Sequence, residues 1–121
     1  MCPCSKMYVD STLAEVVSEG LKQRTRHVYV VDRDERFLGV VATNVLATGI
    51  IDGTLDKSGG IDAFLEHEFT VLYQQSSFEE AWAVFSASPL ERMPVLENAD
   101  SRRLLGVITK AALLSKAKDF L

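Results

Sequence analysis

One stretch of this chain occurs twice, and the repetition limits the folds that the chain can adopt. Residues Arg92–Thr109 read RMPVLENADSRRLLGVIT, and residues His27–Ala42 read HVYVVDRDERFLGVVA. Alignment of the two stretches places Val30-Val31-Asp32 under Val95-Leu96-Glu97. Each copy has an apolar run, a polar turn and a second apolar run with a glycine, a pattern typical of a β-hairpin. The sequence therefore predicts one unit that is present in two copies.

The two copies keep a single register beyond the hairpins. Thr12 aligns with Ser77, 65 positions later, whereas Gly39 aligns with Gly106, 67 positions later. The two extra residues fall in the polar turn of the second hairpin, where an insertion disturbs a fold least. We therefore expect the same order of elements in both copies.

Size and charge exclude several classes of protein. A chain of 121 residues can form one compact core but not two independent domains of ordinary size. Its 13 basic and 17 acidic residues give a net charge of −4, so nucleic acid is disfavoured as a partner. No apolar run approaches the roughly 20 residues that cross a bilayer. We expect a cytoplasmic segment without membrane insertion, either acting in trans or forming part of a larger protein.

Cys2 and Cys4 are the only cysteines, and they stand at the N-terminus. A structural metal site needs about four ligands, and neither His27 nor His67 has ligand-like spacing to this pair. We expect the thiols to lie at a frayed terminus without a structural role. A terminal metal clip or a redox pair is the alternative.

Apolar periodicity predicts strand, helix, strand, strand and helix in each copy. For the first copy we expect strand Lys6–Val9, a helix capped within Asp10–Thr12, hairpin strands His27–Val31 and Phe37–Val41, and a closing helix capped by Asn44. For the second copy we expect strand Phe69–Tyr73, a helix capped by Ser76 or Ser77, the hairpin, and a closing helix Ala111–Leu121.

The polar segment Ile51–Gly60, IDGTLDKSGG, predicts a solvated linker between the copies. Ile61, Phe64 and Leu65 give this linker a short helical exit. We therefore divide the chain into a first repeat at 5–50, a linker at 51–67 and a second repeat at 68–121.

Each copy resembles the cystathionine-β-synthase (CBS) domain, which usually occurs as a tandem pair called the Bateman module. The motifs Met93-Pro94-Val95 and Leu105–Thr109 carry the resemblance, which extends from about Lys6 to Leu114. It implies a mixed α/β (α+β) fold with two β-α-β-β-α repeats related by a pseudo-two-fold axis. The sheets of such a pair pack together, the helices lie outside, and two clefts lie between the repeats.

The resemblance also implies a ligand, because CBS pairs commonly bind an adenosine nucleotide in a cleft through Gly-x-x-Thr-x-x-Asp. In the second repeat Gly106 and Thr109 fit this motif, but Ala112 stands at the aspartate position. The first repeat keeps the glycine and has Ala42 and Val45 at the other two positions. A site that lacks one of its paired polar groups loses discrimination for ribose hydroxyls.

The implied ligand is ATP, ADP or AMP, with no required cofactor. The candidate nucleotide-binding residues are Thr109, Thr70, Arg92, Met93, Pro94, His27, Val28 and Tyr29. Thr109 would act with the backbone around Met93 and with Thr70 from the opening strand, and the His27–Tyr29 segment would stack on or flank a base. The structural alternatives are that Thr109 caps the last helix, Tyr29 belongs to the core, and Arg92 is a solvated charge.

The sequence contains no nucleophile with a base, no paired carboxylates and no phosphate loop, so we expect no catalysis. We interpret the chain as a regulatory and dimerisation module of a larger protein. One alternative is a CBS-pair scaffold that binds no nucleotide, and another is the regulatory module of a metabolic enzyme.

Two features of the sequence indicate a host protein and a binding partner. Phe69–Tyr73 and Leu90–Val95 are similar to CBS pairs in the cytoplasmic tails of chloride channel and transporter proteins. Phe78, Trp82 and Phe85 give more apolar surface than a small core absorbs, which predicts a homodimer formed through helices.

Overall fold

A computed structural model describes residues 6–117 of the chain, and it divides into two compact units between Phe69 and Thr70. The predictions for Cys2 and Cys4, and for the end of the last helix at Lys118–Leu121, lie outside the described residues. The first unit contains β1 (Lys6–Tyr8), α1 (Leu13–Gln23), β2 (His27–Val31), β3 (Phe37–Ala42), α2 (Thr43–Ile51) and a 3-10 turn (Asp62–Phe64). The second contains β4 (Leu72–Tyr73), α3 (Phe78–Ser86), β5 (Arg92–Leu96), β6 (Leu104–Thr109) and α4 (Lys110–Ala117).

Each unit has one three-stranded sheet with the same topology. The order is β1-β2-β3 in the first sheet and β4-β5-β6 in the second. In both sheets the opening strand runs parallel to the middle strand, and the hairpin partner runs antiparallel to it. The predicted mixed α/β fold with two β-α-β-β-α repeats is confirmed.

The hairpins of the two repeats have the same strand register, and the register shifts at the same position in both. Val30 lies opposite Gly39 in the first hairpin, Val95 lies opposite Gly106 in the second, and each strand pairing shifts immediately afterwards. An ion pair closes each turn: Asp32 Oδ2 lies 3.0 Å from Arg36 Nε, and Glu97 Oε2 lies 2.8 Å from Arg103 Nη2. The insertion of two residues therefore lies inside the turn, as predicted from the offsets.

The strand predicted at Phe69–Tyr73 is wrong in length, because only Leu72 and Tyr73 pair with β5. In the first repeat Tyr29 pairs with Lys6 of β1, and Tyr29 aligns with Pro94. Val40, opposite Tyr29, bonds to Glu66 through both its N–H and its C=O, so the N–H of Tyr29 faces β1. Proline has no N–H for this contact, so the parallel pairing in the second repeat starts only at Leu72.

The N-caps of α1 and α3 are the residues predicted from the sequence, whereas the N-cap of α2 is not. Thr12 caps α1 through a capping box with Glu15, and Ser77 caps α3 by accepting a hydrogen bond from the N–H of Glu80. The prediction that Asn44 caps α2 is wrong, because α2 begins at Thr43 and its N-cap is Ala42, which makes no side-chain bond.

The linker ends, as expected, in a short helical exit, a 3-10 turn at Asp62–Phe64, and this exit packs on the core of the first unit. Ile61 is fully buried in a cluster with Leu13, Val16 and Leu46 of the first unit. Glu66 then pairs with Val40 at the edge of the first sheet. The polar part of the segment is exposed, but its end is anchored to the first repeat. The division at 5–50, 51–67 and 68–121 stays a prediction.

α1 and α2 pack closely where Gly20 faces Thr43. A Cβ placed on Gly20 would lie 2.7 Å from Thr43 Cγ2 and still closer to its hydroxyl oxygen. Gly20 aligns with Phe85 of the second repeat, which is fully buried in the second core with Met93 and Leu113. The two repeats therefore fill the space under their first helices with side chains of very different size.

The aromatic residues predicted to be left over for a dimer are used inside the second unit. Phe85 is fully buried, and Phe78 and Trp82 are half-buried against the second core. Phe85 is therefore not available to a dimer surface, and the homodimer formed through helices stays a prediction. Within residues 6–117, no helix is long and apolar enough to cross a membrane.

Candidate functional site

The structure places Arg92 and Thr109 side by side at the end of the second hairpin. Arg92 starts β5 and lies directly opposite Thr109, the last residue of β6. The N–H of Lys110 donates to the carbonyl of Glu91 at 2.8 Å, which fixes the start of α4 against the start of β5. An exposed guanidinium, a half-buried hydroxyl and a helix N-terminus thus meet at one point.

The hydroxyl of Thr109 has a structural role here. Its Oγ1 accepts a hydrogen bond from the N–H of Ala112 at 3.1 Å, so the alternative that Thr109 caps the last helix is confirmed. A hydroxyl group is a donor as well as an acceptor. The described hydrogen bonds use Thr109 Oγ1 as an acceptor only, which leaves its proton for an oxygen atom of a ligand.

The side chains of Met93 and Pro94 are buried and do not face this point of the surface. Met93 is fully buried in the second core, and Pro94 is buried opposite Val107. Thr70 is exposed and lies outside β4. The hydrogen bonds of the described part of the chain do not join Thr70 to Arg92 or Thr109.

In the first repeat His27 occupies the place of Arg92, opposite Ala42. Its ring lies against the ring of Phe69, with 5.4 Å between the centroids. Burial lowers the pKa of the imidazole from its usual 6.5, although Glu66 opposes this effect. His27 is therefore mostly neutral at pH 7, so it does not supply the positive charge that Arg92 supplies at the matching position of the second repeat.

Val28 and Tyr29 lie inside the fold. Val28 is fully buried in the first core, and Tyr29 is only 5% exposed, with its ring centroid 6.3 Å from that of Phe37. The structure therefore supports the alternative that Tyr29 belongs to the core. Of the three residues predicted in the first repeat, only His27 presents part of its side chain to solvent.

The two positions where the family motif has aspartate lie on exposed helix surface. Val45 is 56% exposed in the first turn of α2, and Ala112 is exposed in the first turn of α4. A carboxylate at either position would be free to bond to a ligand. The side chains that are present offer no hydrogen bond there.

A pocket of about 620 Å³ lies on the helix side of the first repeat, and the candidate residues taken from the sequence do not include its lining. Its polar lining consists of Arg24, Thr25, Arg26, Thr43, Asn44 and Thr48. The sequence does contain a signal for this pocket. In the alignment of the two repeats, Gly20 and Thr43 occupy the positions of the bulkier residues Phe85 and Lys110.

The model of the CBS domain family matches residues 6–44 and 61–119, which is most of the chain. A search of curated protein sequences finds no significant match.

Solved structures with the same fold are numerous. A CBS domain pair/ACT domain protein from Thermotoga maritima has a TM-score of 0.77 at 19% identity, covering 99% of this chain and 91% of that one. CBSX2 in complex with AMP has a TM-score of 0.73 at 17% identity, covering 99% and 93%. The soluble part of a magnesium transporter has a TM-score of 0.78 at 17% identity, covering 98% and 45%.

Proposed function

Because this chain belongs to the CBS domain family and contains two copies of the domain, we propose that it is a non-catalytic regulatory module that binds an adenosine nucleotide. CBS pairs regulate the proteins that contain them and carry no catalytic residues of their own. The ligand class we propose is AMP, ADP or ATP, since a protein with the same fold is described in complex with AMP.

The observation that supports this proposal is the pairing of Arg92 with Thr109 beside the N-terminus of α4. A guanidinium and a hydroxyl donor are suited to phosphate oxygens, and the positive end of a helix dipole favours an anion. The first repeat has His27 and Ala42 at the matching positions. We therefore assign the nucleotide to the second repeat, with the backbone at Met93 and Pro94 and the hydroxyl of Thr70 as further candidate contacts.

A gain-of-function experiment tests this assignment. Ala112→Asp restores the carboxylate of the family motif next to Thr109, and we expect it to tighten AMP binding by about tenfold or more in calorimetric titration. Val45→Asp is the matched control, because it adds the same charge in a repeat that lacks the threonine. Equal affinity in the two variants would refute the assignment to the second repeat.

The hydroxyl of Thr109 is tested by a second pair of variants. Thr109→Ser keeps the hydroxyl and is expected to retain binding, whereas Thr109→Val removes it and is expected to lose binding. Ser86→Ala removes an exposed hydroxyl from α3 of the same repeat and controls for non-specific effects. If neither the native chain nor Ala112→Asp binds AMP, ADP or ATP at millimolar concentration, the ligand-free scaffold replaces the sensor.

We also propose a homodimer formed through helices, with its surface on α1 and α2. Among residues 6–117 the large exposed apolar side chains are Leu21, Val45 and Ile51 in these two helices, and Leu114 in α4. Ile51 is 86% exposed, which is costly for an apolar side chain in water. Sedimentation of the native chain and of Ile51→Asp tests this, and an equal monomer mass for both at high concentration would refute it.

For the host we propose a membrane channel or transporter with this module in the cytoplasm. The resemblance to the tails of chloride channel and transporter proteins favours that class, and the magnesium transporter neighbour shows that the same fold occurs in the soluble part of a transporter. The regulatory module of a metabolic enzyme is the competing host. The sequence of the full-length gene on both sides of this segment distinguishes the two.

A further inference from the structure

The end of the segment between the repeats is attached to the first repeat at three places, and we call residues 61–69 the inter-repeat strap. Its first residue, Ile61, is fully buried in the first core. Near its middle, Glu66 and Val40 of β3 bond to each other through both backbone groups, at 2.8 and 3.1 Å. Its last residue, Phe69, lies against the ring of His27, and the second compact unit begins at the next residue.

The three attachments of the strap differ in how they respond to pH. The apolar contacts of Ile61 and the backbone hydrogen bonds of Glu66 contain no group that titrates near neutral pH. The contact of Phe69 with His27 contains an imidazole, which changes its charge between about pH 5 and 8. His27 and His67 are the only histidines of the chain, and His67 is exposed. The last attachment is therefore the one that a change of pH alters.

The surroundings of His27 favour the neutral imidazole. Burial lowers its pKa from 6.5 and is the largest effect, Glu66 of the strap raises the pKa, and Arg26 just before β2 lowers it again. The residue opposite His27 in β3 is Ala42, which has no charge. Since the pKa is lower in the packed state, protonation disfavours the packing of His27 against the strap. The contribution of this contact is therefore complete above pH 6.5 and is lost as the pH falls from 6.5 to the lower pKa of the packed imidazole.

We propose that His27 is a pH-sensitive latch, which holds the end of the inter-repeat strap on the first repeat near neutral pH and releases it on acidification. Phe69 is half-buried and directly precedes the second unit, so its release adds residues 67–69 to the free connection between the repeats. The module then responds to protons as well as to a nucleotide. The latch includes neither Arg92 nor Thr109 and is measured without any ligand, so it stands or falls separately from the proposed nucleotide site.

Titration of the histidine rings by NMR on the native chain tests the chemistry of the latch. We expect the midpoint of His27 to lie below 6.5. Phe69→Leu removes the ring contact and keeps an apolar side chain, so we expect the midpoint of His27 to rise towards 6.5 as its imidazole becomes more solvated. His67→Gln removes the exposed histidine, and as the matched control it should leave the midpoint of His27 unchanged. A native midpoint at or above 6.5 would overturn the proposal, because the charge of Glu66 would then outweigh burial.

Amide NMR and hydrogen exchange measure the release of the strap itself. We expect the amide signal of Phe69 to shift with the same midpoint as the ring of His27. The protection factor of the Glu66 N–H, corrected for the intrinsic effect of pH on exchange, should fall by about threefold or more between about pH 7.5 and pH 5. The N–H of Val16, which is bonded to the carbonyl of Thr12, is the internal control for a general loss of stability and should change less.

Two variants of His27 separate its charge from its ring. His27→Phe keeps an aromatic ring and removes the titration, so we expect the strap to stay attached down to about pH 5. His27→Gln removes both, so we expect lower protection of Glu66 at neutral pH and no further fall on acidification. His67→Gln should keep the pH dependence of the native chain. The same pH dependence in the native chain and in His27→Phe would overturn the proposal, and so would a Phe69 signal that does not follow the titration of His27.

Discussion

Gly20→Ala is a substitution for which helix propensity and side-chain packing predict opposite changes in the free energy of unfolding. Alanine is favoured over glycine inside a helix by up to about 1 kcal/mol, so the change should stabilise α1 on helix propensity alone. The packing of α1 on α2 opposes this gain. The new Cβ would lie 2.7 Å from Cγ2 and 3.1 Å from Cβ of Thr43, whereas carbon atoms prefer about 3.5–4.0 Å.

Thr43 has little freedom to move away from this contact. Its β-branched side chain is restricted to two χ1 rotamers in a helix, and its N–H is bonded to the carbonyl of Arg26 at 2.9 Å. Overpacking in a well-packed region costs about 1–3 kcal/mol. With the propensity gain subtracted, we expect Gly20→Ala to lower the free energy of unfolding by about 1–2 kcal/mol.

The assay is urea unfolding followed by far-UV circular dichroism, with a double-mutant cycle. Thr43→Ala removes Cγ2 and the hydroxyl oxygen and leaves only the 3.1 Å contact with Cβ, so Gly20→Ala should be much less destabilising in that background than in the native chain. Ser18, exposed in the same helix, is the control position, where Ser18→Ala against Ser18→Gly measures the propensity term alone. Stabilisation by Gly20→Ala in the native background would refute the close approach of α1 and α2.

Three further predictions concern the first repeat. Ile61→Ala should lower the free energy of unfolding by about 2–5 kcal/mol in urea because Ile61 is fully buried, while Lys57→Ala, at an exposed position of the same segment, should have little effect. Thr12→Ala should cost about 1 kcal/mol in the same assay through loss of the capping box, and a value indistinguishable from Ser18→Ala would contradict it. The pKa of Asp32 is lowered from 3.8 by hydrogen bonds from the backbone N–H groups of Arg36 and Asp34 and by the Arg36 guanidinium. The contribution of Asp32 to stability is therefore present above pH 3.8 and is lost as the pH falls through the lower folded pKa. Asp32→Asn should therefore flatten the acid limb of thermal unfolding, and an unchanged limb would contradict this role.

The candidate site was predictable in part. Arg92 and Thr109 meet as expected because the register of a hairpin follows from the spacing of its apolar runs and its turn. Tyr29 was ambiguous, since an aromatic residue in a strand has the same sequence pattern whether it faces a ligand or a core. Its 5% exposure decides that question. The pocket at Arg24, Arg26 and Thr43 could not be read from one helix alone, because its lining comes from α1, α2 and the turn before β2.

The sequence by itself determined the repeat, the order of elements and the hairpin registers, because these depend on spacings within short stretches of chain. The offset of 65 residues before the second turn and 67 after it placed the insertion correctly. Only the tertiary structure decided the close contact of Gly20 with Thr43, the burial of Ile61 and the shortening of β4 by Pro94. Each of these depends on which residues meet across two elements, where one missing Cβ or one missing N–H changes the packing. Two copies of one motif are therefore alike in topology and different in the surfaces they offer to a ligand.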